Sequence, residues 1–252
     1  TPVFTPDANS QPSSCANGAG IATGVVGPVD VMDKSLQYPQ VMRANIAYDK
    51  ELGDRFFLTF EALLTKGLNN FFYVNRNINY DSSYTGRNGR PMYGTLAATG
   101  VSSVYLYDAS RRFSEVIDVV NQSGDYSYNL TLELQKRVFS QLDMRAAYTY
   151  SHSYDVQSLT SSRAISNWNF GRPGGLNDLL ATQTSVSIFD QPNKLLISGT
   201  YHFPWKVWTT DFSMIYQGYS GQPYDYTYTG SGGRGDLNGD GNVNDLIYVP
   251  RD

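Results

Sequence analysis

The stretch YNLTLELQ, residues 128–135, decides the fold because apolar and polar residues alternate along it without a break. Its even-numbered positions are tyrosine and leucine, and its odd-numbered positions are asparagine, threonine, glutamate and glutamine. Successive side chains of a β-strand point to opposite faces, so the stretch predicts a strand with one apolar and one polar face. The segment LDMRAAYTYS, residues 142–151, continues the alternation after a short turn at 138–141 and predicts the second strand of a hairpin.

The same alternation recurs in four further segments, which brings the predicted membrane strands to about six. A strand of about ten residues, at roughly 3.3 Å per residue and tilted by about 40°, spans the apolar band of an outer membrane. The four segments are residues 41–49, 56–66, 194–203 and 207–217.

Short and long connections alternate between these strands. The short turns are predicted at 52–54, 139–141 and 204–206, and the long segments are 67–123, 156–188 and 219–252. Outer-membrane barrels typically have short periplasmic turns and long extracellular loops. We therefore predict an all-β fold, an antiparallel transmembrane β-barrel segment over residues 36–252 with its three long segments extracellular. Residues 1–35 are predicted to be a further extracellular loop segment.

Six strands are too few to close a barrel, because the smallest bacterial barrels have about eight. The chain begins at Thr1 without an initiator methionine, and we expect it to be a segment of a longer protein. The predicted strands 41–49 and 207–217 should then be the edges of an open sheet. Their unpaired backbone groups would need further strands as partners, because lipid offers none.

The composition excludes several classes of protein. An aromatic content of 14% within 40% hydrophobic residues excludes a disordered chain. The net charge of -4 argues against a nucleic-acid partner. One cysteine, Cys15, and two histidines, His152 and His202, leave too few ligands for a metal site built from Cys and His.

The charged residues of the predicted strands fall on the polar face, which we expect to line the barrel lumen. A charge at the lipid midplane costs about 2–4 kcal/mol, so the opposite orientation is disfavoured. Glu133 and Arg145 are predicted to pair across their hairpin. The lumenal set comprises Arg43, Asp49, Glu61, Glu133, Asp143, Arg145, Lys194 and Asp211, and the lipid-facing set of this hairpin comprises Leu130, Leu132, Leu134, Met144 and Ala146.

Several short motifs carry a resemblance to a known family. They are SYN at 127–129, AYTYS at 147–151, FDQP at 189–192, GDLNGDG at 235–241 and NDLIYVP at 244–250. These motifs, and their order along the chain, carry the resemblance. Over roughly residues 36–252 the chain resembles the barrel region of TonB-dependent outer-membrane receptors. The resemblance is to the Oar-like group, which often carries an N-terminal carboxypeptidase-regulatory-like domain.

The resemblance implies a barrel of about 22 strands with a globular plug, and a location in the bacterial outer membrane. It further implies uptake of a bulky solute, such as a siderophore, glycan or peptide, with energy from the inner membrane. The implied partners are the outer-membrane bilayer, a surface lipoprotein or other outer-membrane protein, and the TonB complex. The TonB complex would be reached through an N-terminal plug that is not part of this sequence.

An acidic loop is the best local motif for a metal site. Asp236, Asn238 and Asp240 occupy positions 1, 3 and 5 of a D-x-N-x-D-G pattern, which directs hard oxygen ligands to a Ca²⁺ ion. Position 12 is Ile247 and not the glutamate of an EF-hand. The alternative is an ordinary Asn/Asp/Gly-rich turn. The hypothetical calcium ligands are Asp236, Asn238, Asp240, the backbone carbonyl of Asn242, and Asp245.

The sequence favours a transport protein over an enzyme. His152 and Asp155 are close in sequence at a strand end, but alternation places them on opposite faces, out of the reach that acid–base catalysis needs. A second hypothesis is a secreted or surface β-rich adhesin or glycan-binding module stabilised by calcium. A third, weaker one is an outer-membrane barrel enzyme. A need for detergent during extraction distinguishes a barrel from a secreted module.

Overall fold

The structure is a computed structural model that describes residues 7, 27–78, 91–96, 103–105, 113–171, 183–228, 238, 240 and 245–247. In chain order its elements are β1 (Val29–Met32), β2 (Gln40–Gly53), β3 (Phe56–Asn75), β4 (Gly94–Leu96), β5 (Ser103–Tyr105), β6 (Val116–Gln122), β7 (Tyr126–Val138), β8 (Leu142–Asp155), α1 (Ala164–Phe170), β9 (Ser185–Val186), β10 (Asn193–Pro204) and β11 (Thr209–Tyr219). Helix α1 is short, and none of the described helical residues forms a helix long and apolar enough to cross a membrane.

Six long strands form one antiparallel sheet in the order β2-β3-β7-β8-β10-β11. They coincide with the six strands predicted from the alternation, so the predicted fold class is confirmed. Within the described residues no ladder joins β2 to β11, and the sheet is open, as expected of a barrel segment.

The three short turns all lie at the same end of the strands. Asp54 and Arg55 both have positive φ angles, of 53° and 58°, which is the backbone of a tight two-residue hairpin. Phe139 opens the second turn with a φ of 59°. The third turn is longer than predicted, because β11 begins only at Thr209 and Trp208 therefore lies in the turn.

Alternation along the strands produces an exposed apolar surface, which we call the outer apolar face. Leu132, in the middle of β7, is 46% exposed, although leucine ordinarily lies in a protein core. So large an exposed apolar area is typical of a surface that is covered by lipid. Its large members include Ile46, Tyr48, Phe60, Leu64, Leu130, Leu132, Leu134, Met144, Tyr148, Leu195, Ile197, Phe212 and Met214.

The sheet continues beyond the predicted strand ends into an external layer, which comprises β1, β6, α1 and the end of β3 from Asn69 to Asn75. The long connection predicted at 67–123 contains strand at both of its ends, because β3 runs on to Asn75 and β6 pairs with it. The alternation fails there because the sheet is covered on both faces, so that Phe72, Val74 and Asn75 are all buried.

The buried core of the described residues lies in and beside this external layer. Ile78, Tyr93, Ile117 and Trp168 form one cluster, and Phe72, Val74 and Val156 form a second. The segment 156–188, which the sequence predicts to be a loop, contributes α1 and its Trp168 to this core. The membrane sheet thus carries a packed cap on the side of its long connections.

Candidate functional site

The face of the sheet opposite the outer apolar face carries the polar residues, and we call it the lumenal face. The predicted pair across the hairpin is present, with Arg145 Nε 2.9 Å from Glu133 Oε1. On the β2–β3 hairpin, Asn45 donates to Glu61 and Thr59 donates to Asp49, at 2.9 and 2.6 Å. Arg43 and Lys194 lie in register with Thr65 and Thr149 of the same face.

An ion-pair chain links four strands near the short turns. Arg137 Nε on β7 lies 2.5 Å from Asp143 Oδ1 on β8. Asp143 Oδ2 lies 3.2 Å from His202 Nε2 on β10, and His202 Nδ1 lies 2.7 Å from Asp211 Oδ1 on β11. We call this chain the rim cluster. His202 lies on the lumenal face of β10, in register with Asp211, and its ring stands between two carboxylates.

The acidic loop brings together the three hypothetical calcium ligands that the structure describes. Asn238, Asp240 and Asp245 are buried, with exposures of 0%, 2% and 0%. Asn238 Nδ2 donates to Asp240 Oδ2 at 3.1 Å, and the Asn238 backbone amide donates to Asp245 Oδ2 at 3.2 Å. The other two hypothetical ligands, Asp236 and Asn242, lie outside the described residues.

The donor set suits a hard cation. Two neighbouring carboxylates at such low exposure are costly unless positive charge or hydrogen bonds compensate them. Carboxylate and amide oxygens are also the ligands that Ca²⁺ prefers. Within the described residues no group of three or more His, Cys, Asp or Glu side chains surrounds a common point. The described part of the loop therefore supplies two carboxylates and one amide, and further ligands would have to come from elsewhere.

The acidic loop is anchored to the rest of the fold at three places. The backbone amide of Tyr93 donates to Asn238 O at 2.5 Å, and Tyr93 belongs to the first core cluster. The amide of Tyr228 donates to Asp245 O, and that of Ile247 donates to Tyr226 O, both at 2.9 Å. The loop therefore connects the chain beyond β11 to the core of the external layer.

Asp125 joins the membrane sheet to the external layer, and we call this place the Asp125 junction. Its Oδ2 accepts from Asn70 Nδ2 at 2.5 Å, and its Oδ1 accepts from Gln122 Nε2 at 2.8 Å and from the Val156 amide at 3.0 Å. Three segments of chain thus meet on one carboxylate. The backbone oxygen of Asp125 also accepts from the amide of Gly67, at 2.8 Å.

Two glycines allow the Asp125 junction to close. A Cβ atom on Gly67 would lie 3.2 Å from Asp125 Cβ, and one on Gly124 would lie 2.4 Å from Val156 Cγ2. Sequence reasoning missed this junction. Its only signal was the Gly124–Asp125 pair, a common turn dipeptide, between two runs of β-forming residues.

The segment between β1 and β2 is held against β6 of the external layer. The amide of Asp33 donates to Val119 O at 3.0 Å, and the amide of Gln37 donates to Asn121 Oδ1 at 2.7 Å. The hydroxyl of Ser35 donates to the Asp33 carboxylate and lowers the pKa of that carboxyl below its usual value. The backbone amide of Ser35 also donates to this carboxylate, at 2.7 Å, so both hydrogen bonds hold it within the turn.

His152 and Asp155 have separate hydrogen-bond partners, as the alternation predicts. His152 contacts Asp190 Oδ2 at 3.0 Å and the hydroxyl of Tyr150 at 2.9 Å. Asp155 accepts hydrogen bonds from the hydroxyls of Ser158 and Ser187. The imidazole therefore belongs to a cluster of tyrosines at the long-loop end of β7 and β8.

A family model described as outer membrane beta barrel domain matches residues 1–248. The chain belongs to this family, in agreement with the open antiparallel sheet and its outer apolar face. The protein is accordingly a barrel protein of the bacterial outer membrane. No curated protein and no solved structure matches the chain.

Proposed function

We propose that this chain forms part of the barrel wall of a TonB-dependent receptor that takes up a bulky solute with energy from the inner membrane. The observation that carries the proposal is the open sheet beneath a packed external layer. All residues of β2 are exposed, and both β2 and β11 have an edge that no other described strand pairs. At least two further strands are needed to close such a sheet. The resemblance to Oar-like receptors favours a much wider barrel than this minimum.

One of the motifs that resemble Oar-like receptors, FDQP at 189–192, has a structural role that supports this proposal. In the FDQP motif, Asp190 Oδ1 accepts the amide hydrogen of Ser153, and the carbonyls of Gln191 and Pro192 accept from Ser151. The motif thus fixes the start of β10 against β8. In a barrel with long extracellular connections the strands extend beyond the membrane, and contacts of this kind hold neighbouring strands together there.

Calcium has a structural role in this proposal. The ligands would be Asn238, Asp240 and Asp245, together with Asp236 and the carbonyl of Asn242. A bound Ca²⁺ would neutralise the buried carboxylates and hold the acidic loop on the external layer through its contact with Tyr93. The ion would therefore brace an external loop near the solute entrance, and no enzymatic step is part of the proposal.

The alternative of a secreted adhesin agrees less well with the structure. A secreted module would expose the outer apolar face to water, at a cost of roughly 25 cal/mol per Å² of apolar area. Lipid removes this cost. Solute transport also gives the polar lumenal face a role that an adhesin would not need.

The proposal is tested with the full-length protein, purified in detergent from the outer membrane. We expect it to bind the purified periplasmic domain of TonB in a pull-down assay. We also expect a protonophore to abolish solute uptake by cells that carry the protein, while a passive porin in the same cells stays active. Absence of TonB binding together with uptake that a protonophore does not affect would refute the proposal.

A further inference from the structure

A cavity of about 340 Å³ opens on the lumenal face at the junction with the external layer. Its floor is formed by β3, β7 and β8 near their long-loop ends, and its upper wall by Asp125, Gln157 and Phe189. Gly67 also lines it and, lacking a side chain, leaves the space above the sheet open. The cavity therefore lies where a solute entering from outside would first meet the barrel lumen.

Three hydroxyl groups form a row across the floor of this cavity. Thr65 pairs in register with Ser127, and Ser127 pairs with Ser153, so the three side chains lie side by side on neighbouring strands. Neighbouring strands are about 4.8 Å apart, which sets the spacing of the row. Among the described residues none of these three hydroxyls makes a hydrogen bond to the protein. Each can therefore donate one hydrogen bond and accept others from a ligand.

The other polar groups of the cavity are held in place. The Asp125 carboxylate is fixed by Asn70, Gln122 and the Val156 amide, as described above. The Asp155 carboxylate is fixed by the hydroxyls of Ser158 and Ser187, at 2.8 and 2.6 Å. Groups that are already oriented lose little entropy when a ligand binds, which favours affinity.

The charges of the lining select against anions. Its described lining residues include two carboxylates, those of Asp125 and Asp155, and no Lys, Arg or His. A phosphate, a sulfate or a uronic acid inside the cavity would therefore meet two carboxylates, while Arg43 lies beside the cavity, in register with Thr65, and not in its lining. A neutral group with many hydroxyls has no such conflict, because each hydroxyl can donate to a carboxylate and accept from Thr or Ser.

Phe189 gives the cavity an apolar wall. Its side chain is 53% exposed although it lines the cavity, and its backbone amide donates to Ser187 Oγ at 3.2 Å. An exposed ring beside hydroxyl and carboxylate groups offers an apolar surface for the C–H face of a sugar ring, while the polar groups bind its hydroxyls.

We propose that this cavity is a binding subsite for a neutral sugar residue of a glycan. The row of Thr65, Ser127 and Ser153 would bind its hydroxyls, the carboxylates of Asp125 and Asp155 would accept from it, and Phe189 would pack against its ring. The inference rests on the proposed uptake function, since it assigns the substrate class of that function to neutral glycans.

The test uses the full-length protein in detergent on an array of neutral hexose and pentose oligosaccharides and of their uronic acid counterparts. We expect binding to neutral glycans only. The triple variant Thr65→Val, Ser127→Ala and Ser153→Ala should weaken this binding by at least about tenfold, because each lost hydrogen bond contributes to affinity. A matched control, Thr200→Val, removes a lumenal hydroxyl far from the cavity and should leave the affinity unchanged.

Two outcomes would overturn the inference. One is the absence of binding to any neutral glycan of the array, and the other is binding that the triple variant retains in full. Failure of the uptake proposal gives a different result. If neutral glycans bind but a protonophore does not affect uptake, the subsite stands and energised transport is wrong. If uptake depends on energy but no neutral glycan binds, the reverse holds.

Discussion

Replacement of Asp125 is expected to loosen the external layer while the membrane sheet stays folded. The carboxylate accepts three hydrogen bonds, from Asn70, Gln122 and the Val156 amide. Taken at about 1 kcal/mol each for partly exposed groups, their loss in Asp125→Ala would lower the free energy of local opening by about 3 kcal/mol. This corresponds to roughly a hundredfold faster amide exchange in the affected segments.

Asp125→Asn provides the matched variant. Its amide oxygen can still accept from Gln122 and the Val156 amide, but its NH₂ group would face the NH₂ group of Asn70, so an intermediate effect is expected. Hydrogen–deuterium exchange of the full-length protein in detergent measures both variants. Residues 117–122 should exchange faster in the order wild type, Asn, Ala, while β10 and β11 stay protected. Exchange at 117–122 that changes less than about twofold in Asp125→Ala would refute the reasoning.

Three further predictions concern other parts of the molecule. Leu132→Arg should destabilise the folded barrel in lipid vesicles by about 2–4 kcal/mol in a urea titration, whereas Thr131→Arg on the lumenal face should cost clearly less; equal costs would contradict the assigned faces. Asp240→Ala, or a chelator added to the wild type, should speed protease cleavage of the acidic loop without affecting barrel assembly, and cleavage that is independent of calcium would leave the motif a plain turn. Asp143→Asn should weaken the contacts of the rim cluster with both Arg137 and His202. Amide exchange should then become faster near the turn at 139–141 and stay unchanged in the external layer, and unchanged exchange at the turn would contradict the cluster's role.

The membrane strands could be predicted because each has one face toward lipid and one toward the lumen. In the stretch from Leu130 to Glu133 the apolar residues correspond to the lipid side and the polar residues to the lumenal side. The register makes Glu133 and Arg145 diagonal neighbours across the hairpin, and this pair was also predictable. Such signals are local, because each strand is covered in the same way along its whole length.

The external layer could not be predicted in the same way. Phe72, Val74 and Asn75 are buried on both faces of β3, so the period of two disappears and the stretch resembles a loop. The Asp125 junction depends on contacts between residues that are far apart in sequence, such as Asn70 and Val156. The clustering of Asn238 with Asp240 followed from their spacing, but the contact with Tyr93 required the fold.

Cysteine accessibility along β7 tests the central claim most directly, namely that one face of this sheet contacts lipid and the other lines an aqueous lumen. Single cysteines replace Leu130, Leu132, Thr131 and Glu133 in the full-length protein, and intact outer membranes are treated with a water-soluble maleimide. Cysteines at 131 and 133 are expected to react in the intact membrane, and those at 130 and 132 only after detergent is added. Equal labelling at all four positions before detergent would contradict the central claim.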